Sequence, residues 1–122
     1  MKQMWVSMVV FLITAPATAA EIAKNDWVEQ MEIALPAAFC RSEQYFRQCY
    51  TITANECEEI AASTTRICLK KFTDQMPDLF QQPKDGTEWG TKVGECAGAA
   101  FDLSISEKRI DSALCNDVTN WQ

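Results

Sequence analysis

The stretch CRSEQYFRQCYTITANECEEIAASTTRIC, residues 40 to 68, decides how this chain folds. Thr53, followed three residues later by Glu56, is a capping box, the local signature of a helix start. Behind it Cys57, Ile60, Ala61, Thr64, Cys68 and Phe72 recur at spacings of three and four, so residues 54–72 are expected to be helical. The same stretch carries four of the chain's 6 cysteines, and the chain contains 0 histidines. Thiols without histidine partners point to crosslinks.

Geometry constrains those crosslinks. Cys57 and Cys68 lie on one face of the helix, but about 16 Å apart along its axis. A disulfide needs Cα atoms roughly 4.4–6.8 Å apart, so each must reach another element. Six cysteines admit fifteen connectivities. If the segments flanking Thr51-Ile52-Thr53 fold back as an antiparallel hairpin, positions equidistant from the turn face each other, which predicts Cys40–Cys68 and Cys49–Cys57. Cys96 and Cys115 are centred between Ile105 and Ser106, predicting a third bond across a second turn. Cys40 and Cys49 would point to opposite sides of one straight helix. A break at Arg41-Ser42 is therefore expected, with Ser42 capping a second helix that places Tyr45, Phe46, Cys49 and Tyr50 on one side.

Outside this region, residues 1–20 combine Lys2, an apolar run from Met4 to Ile13 and small residues up to Ala20, the pattern of a secretory signal peptide. Cleavage before Ala20 or before Glu21 would leave residues 21–122 as one disulfide-bonded domain in an oxidising compartment, the periplasm. Asn25 and Asp26 are expected to cap a first helix bearing Trp27, Val28, Met31 and Leu35, stopped by Pro36. Between Thr73 and Thr87 the period is lost around Pro77, Pro83 and an Asp85-Gly86 turn signal, which reads as a loop. Helical spacing returns with Trp89, Val93, Cys96, Ala97 and Ala100. Gly90, Gly94 and Gly98 fall on nearly one face there and suggest close approach by another backbone. After Ser106 a last helix would turn Ile110, Ala113 and Leu114 inward. No strand pattern of useful length is present. The fold class is all-α: a small disulfide-stapled bundle of four to five helices in two helical hairpins.

Composition removes several functions. The full chain has 11 basic and 17 acidic residues; without Lys2, 10 basic residues remain and the net charge is −7. That balance disfavours nucleic acid and anionic membranes. The missing histidines exclude Ser-His and Cys-His catalysis, and no close cysteine pair suggests zinc, haem attachment or dithiol redox chemistry. No cofactor is implied. Glu56, Glu58, Glu59, Asp78, Asp85, Glu88 and Glu95 would permit a glycosidase-like carboxylate pair, but an acidic chain supplies such pairs by chance. The chain is therefore read as a non-enzyme. A small wall-binding or wall-cleaving protein, with Trp27, Trp89 or Trp121 as sugar platforms, is the alternative, and an accessory of an envelope complex a third.

The segment PDLFQQPKDGTEW, residues 77–89, mixes charge with Leu79, Phe80 and Trp89 between braced helices. Asp78, Lys84, Asp85 and Glu88 from it, with Glu58 and Glu59 on the polar face of helix 54–72, are the candidate contacts to a protein partner. At NDWVEQM, LPAAFC, YFRQCY and WGTKVGECAG the chain resembles small cysteine-bridged periplasmic immunity proteins of type VI secretion, those paired with a spike effector carrying a lysozyme-like extension. The resemblance implies an inhibitor, possible as a homodimer, that blocks the groove of a cell-wall hydrolase, with neither nucleic acid nor membrane insertion involved. It transfers no residue roles.

Overall fold

The computed structural model describes residues 20–121. Apart from Ala20, the expected leader lies outside the described residues. The long elements are helical: α1 (Lys24–Phe39), α3 (Ala54–Phe72) and α4 (Lys84–Ser104), with single-turn helices α2 (Tyr45–Gln48) and α5 (Ala113–Asn116). One small antiparallel sheet joins β1 (Glu21–Ala23) to β2 (Leu79–Gln81), with Ile22 opposite Phe80. Among the described residues no helix is long and apolar enough to cross a membrane.

Helix α3 has the bounds its sequence predicts. Thr53 Oγ1 accepts the Glu56 N–H at 3.1 Å, satisfying one of the donors that every helix start leaves open. The Glu56 carboxylate turns outward to Lys108, at 3.5 Å. Cys57, Ala61, Thr64, Thr65, Cys68 and Leu69 form its buried face. Helices α1 and α4 flank it, both antiparallel to it. The core divides along α3: Trp27, Leu69, Met76, Phe80, Trp89 and Val93 pack at one end, and Tyr50, Ala61, Phe101 and Ile105 at the other.

Several boundaries differ from expectation for identifiable reasons. Helix α1 starts at Lys24, so Asn25 and Asp26 lie in its first turn rather than capping it. Pro36 does not stop α1; its ring is buried, and the Cys40 N–H closes a further turn onto the Pro36 carbonyl at 3.1 Å. The expected loop at 73–87 is mostly ordered. Its β2 strand is three residues long, too short to show alternation, and the Asp85-Gly86 pair sits in the first turn of α4 instead of a hairpin. There Asp85 Oδ2 accepts the Gln81 N–H at 2.7 Å, and Gln82 Oε1 accepts the Gly86 N–H at 3.0 Å. The helix beyond Ser106 is reduced to a single 3-10 turn, Ser106–Lys108, and α5 is capped by Ser112. Ile110 and Leu114 are exposed, contrary to their expected inward placement.

The glycines of α4 do not mark a backbone crossing. A Cβ on Gly90 would meet only Trp27, and one on Gly98 only the Phe46 ring at 3.7 Å. At Gly94 nothing lies within 4 Å.

All six cysteines are bonded, but as Cys40–Cys57, Cys49–Cys115 and Cys68–Cys96. The pairs Cys40–Cys68, Cys49–Cys57 and Cys96–Cys115 do not form. The hairpin that predicts them requires regular helix on both sides of Thr51-Ile52-Thr53. Instead, the helix folding back on α3 is α1, and it ends before a long connection. Cys40, at the end of α1, therefore meets the start of α3, not a point three turns further along. Cys49, at the end of the single turn α2, faces the C-terminal segment, and the remaining two cysteines join α3 to α4. The architecture is three long helices with α3 central, in place of two separate hairpins.

Candidate functional site

The expected partner contacts do not form one surface. Glu58 and Glu59 lie in the first turns of α3, whereas residues 78–88 sit beyond its far end. The separation along the helix axis is about 20 Å. Asp78 is fully in solvent beside Lys24, with 3.4 Å between Nζ and Oδ1, and Glu88 pairs with Lys92 at 3.7 Å. Lys84 is exposed at the start of α4, and Asp85 is engaged with Gln81. Phe80 and Trp89 belong to the core, where Phe80 packs on Trp27 and Trp89 on Phe72. Leu79 alone of that segment's large apolar residues is exposed, as strand alternation dictates.

A different constellation forms where α2, the end of α4 and the C-terminal segment meet. The 49–51 backbone pairs with 108–110: Thr51 N–H donates to Lys108 O at 2.9 Å, and Ile110 N–H to Cys49 O at 2.8 Å. The Cys49–Cys115 bond closes the same junction. Arg109 is held there on three sides. Its Nε–H donates to Tyr45 Oη at 2.9 Å, Nη1 to Asn116 Oδ1 at 3.1 Å and Nη2 to Cys115 O at 2.9 Å. Tyr50, almost completely buried, donates its phenol proton to Asp102 Oδ1. Burial first, and then the hydrogen bonds with Asp102 and Tyr45, push the Tyr50 phenol well above its ordinary range. It stays protonated, as a donor must. The bond that Arg109 donates to Tyr45 raises its guanidinium further above an already high ordinary value.

Around these groups opens a cavity of about 360 Å³, lined by Tyr45, Phe46, Gly98, Asp102, Arg109, Val118 and Trp121. Trp121 closes one wall. Its indole N–H donates to Leu114 O at 3.1 Å, and its ring meets Tyr45 edge to face with centroids 5.5 Å apart. The groove between α1 and α3 is larger, about 430 Å³, with Val28, Glu32, Arg66, Ile67 and Lys70 along it. Its charged side chains are exposed, as Arg109 is, but lack the fixed hydrogen-bond partners that hold Arg109, so it is a poorer candidate for specific recognition. The smaller cavity combines apolar walls with a few held polar groups, the general character of a ligand site. Among the described residues no cluster of His, Cys, Asp or Glu is arranged to hold a metal ion.

Sequence reasoning missed Asp102 and Arg109, and placed Tyr45 and Tyr50 only as one helix face. Tyr50 and Asp102 are 52 positions apart, so no local period links them. One signal was available: the chain has only 2 tyrosines, both within six residues of each other, and both enter this network. Trp121, one of the candidate sugar platforms, is a wall of the cavity.

No curated protein and no solved structure matches the chain. A family model does, over residues 21–109, and its description is T2SS substrate NttA. The matched span includes Tyr45, Phe46, Tyr50, Asp102 and Arg109 and ends before Val118 and Trp121. It places the chain among exported proteins and not, as the motif resemblance implied, among type VI immunity proteins. By this match over most of its length, the chain belongs to the NttA family of type II secretion substrates.

Proposed function

We propose that this protein is an exported binding protein, without catalytic activity, that oxidises and folds in the periplasm and recognises its ligand in the cavity between α2, α4 and the C-terminal segment. The observation that carries the reading is the immobilised guanidinium of Arg109 facing an aromatic-walled cavity beside the Tyr50–Asp102 pair. Three hydrogen bonds fix a side chain that otherwise samples many rotamers, so little further entropy is lost when a ligand docks. The disulfide at Cys49 and Cys115 restrains both halves of the rim. The missing histidines and the scattered carboxylates support binding over catalysis. Export by type II secretion follows from the family's description, with periplasmic oxidation as the preceding step. Groove-blocking inhibition of a muramidase has no comparable support, because the acidic residues invoked for it lie at opposite ends of α3.

A thermal-shift screen of the oxidised protein against small polar compounds tests the reading. Hits should raise the melting temperature of the parent and of Ile67→Ala, which alters the other groove, but not of Arg109→Gln or Gly98→Leu. Hits that act equally on all four proteins would show that the cavity is not the site. Release into the medium should also cease in a strain whose type II secretion is disabled.

A further inference from the structure

The polar groups of the cavity restrict what it can hold. Of the five N–H donors on Arg109, three are taken by Tyr45, Asn116 and Cys115, leaving one on each terminal nitrogen. Asp102 gives Oδ1 to Tyr50 and has Oδ2 free. The cavity therefore offers two donors from a cation and an acceptor from an anion, with no net charge. A phosphate or carboxylate would gain Arg109 but meet the Asp102 charge; an ammonium group would meet the reverse. A ligand carrying hydroxyl groups meets neither penalty, because each hydroxyl both donates and accepts.

The walls add a second restriction. Tyr45, Phe46 and Trp121 present ring surface, and Val118, 69% exposed, adds an apolar lip. Trp121 is anchored by its indole N–H to Leu114 O, so its ring is a fixed surface instead of a mobile tail. Aromatic rings bury much apolar area at low entropic cost. A pyranose has the matching form: a rim of hydroxyls around two faces of C–H groups. A cavity of about 360 Å³ lies at the small end of ligand sites, roughly 300–1,000 Å³, and suits a monosaccharide or disaccharide unit.

We propose that this cavity is a binding site for a neutral saccharide, stacked on Trp121 and Tyr45, with its hydroxyls shared between Arg109 and Asp102. The proposal rests on the reading of the cavity as the ligand site and names its ligand class. The acidic balance of the chain, −7 without Lys2, is compatible with it, since that field repels anionic competitors and leaves a neutral ligand unaffected.

The test is a heteronuclear NMR titration of the oxidised protein, following the indole N–H of Trp121 and the Nε–H of Arg109. The probes are cellobiose, maltose, lactose and the N-acetylglucosamine disaccharide, with inorganic phosphate and choline as charged alternatives. At least one saccharide should shift both resonances saturably, while phosphate and choline leave them in place. Asp102→Asn keeps an acceptor for Tyr50 but replaces the free carboxylate oxygen with an amide, and should weaken saccharide binding about tenfold. Trp121→Phe should weaken it while the melting temperature stays near that of the parent. If phosphate or choline shifts these resonances and no saccharide does, the saccharide assignment is overturned while the cavity remains a ligand site. If no probe reaches them, the saccharide assignment is overturned, and hits from the thermal screen that still depend on Arg109 would keep the cavity reading alone.

Discussion

Thr65 on α3 has no solvent exposure, and its hydroxyl finds no partner. One position earlier, Thr64 Oγ1 reaches Ile60 O at 3.0 Å and Ala61 O at 3.1 Å, taking the carbonyl one turn back from Thr65. A buried unpaired hydroxyl costs about 1–3 kcal/mol. Thr65→Val keeps the shape and removes that cost, so it should stabilise the fold by about 1 kcal/mol, seen as a higher urea midpoint at unchanged slope. Tyr50 behaves in the opposite way, because its polar group is fully used. Its folded pKa is raised above the ordinary 10.0, so the neutral phenol is the form the fold holds. Its contribution is present in full below pH 10 and declines as pH rises past that value, where the unfolded chain releases the proton and the folded one does not. Tyr50→Phe removes the bond to Asp102 and should cost on the order of 2 kcal/mol at neutral pH. The same variant should flatten the loss of stability above pH 10, a difference that urea titrations on either side of that pH would reveal.

At the scale of elements, what could be read from sequence depended on how local the cause is. Thr53 and Glu56 sit within one turn of each other, and the apolar face of α3 repeats inside one helix, so both its ends were legible. Strands β1 and β2 were not, because three residues cannot show alternation and their pairing spans 58 positions at the Ile22–Phe80 step, read from the register. The disulfide pairs failed for the same reason: they depend on the course of residues 41–53, where α2 supplies only one turn. The cavity beside Arg109 was the least legible feature, since its parts come from α2, α4 and the C-terminal segment. Helix α4 was found, but its glycines were over-read. With nothing within 4 Å of a Cβ at Gly94, that residue leaves only the entropic cost of glycine in a helix interior, about 1 kcal/mol relative to alanine. Gly94→Ala should therefore stabilise the protein by 0.5–1 kcal/mol, roughly, in thermal unfolding. A loss of stability would restore the idea of a tight contact at that face.

Across the whole molecule, Cys40–Cys57 and Cys68–Cys96 tie the three long helices together, and Cys49–Cys115 ties the C-terminal segment to the connection after α2. Their sequence separations are 17, 28 and 66, worth about 3, 3.5 and 4 kcal/mol in the chain-entropy model. Together they reach on the order of 10 kcal/mol, as large as the net stability of a typical domain, about 5–15 kcal/mol. The core beneath them is modest, and a chain of this size buries somewhat less than about 70% of its unfolded surface. The reduced protein should therefore be largely unfolded at 37 °C, with its helical circular dichroism lost and no cooperative thermal transition, while the oxidised protein keeps both. Reduction is reversible in principle: reoxidation in a glutathione buffer should recover the helical signal, and a non-reduced digest should return peptides joined through Cys40–Cys57, Cys49–Cys115 and Cys68–Cys96. A reduced chain that remained helical and cooperative would show that packing alone suffices. The expected outcome ties folding to export, because the chain would acquire its cavity only where thiols are oxidised, after leaving the compartment in which it is made.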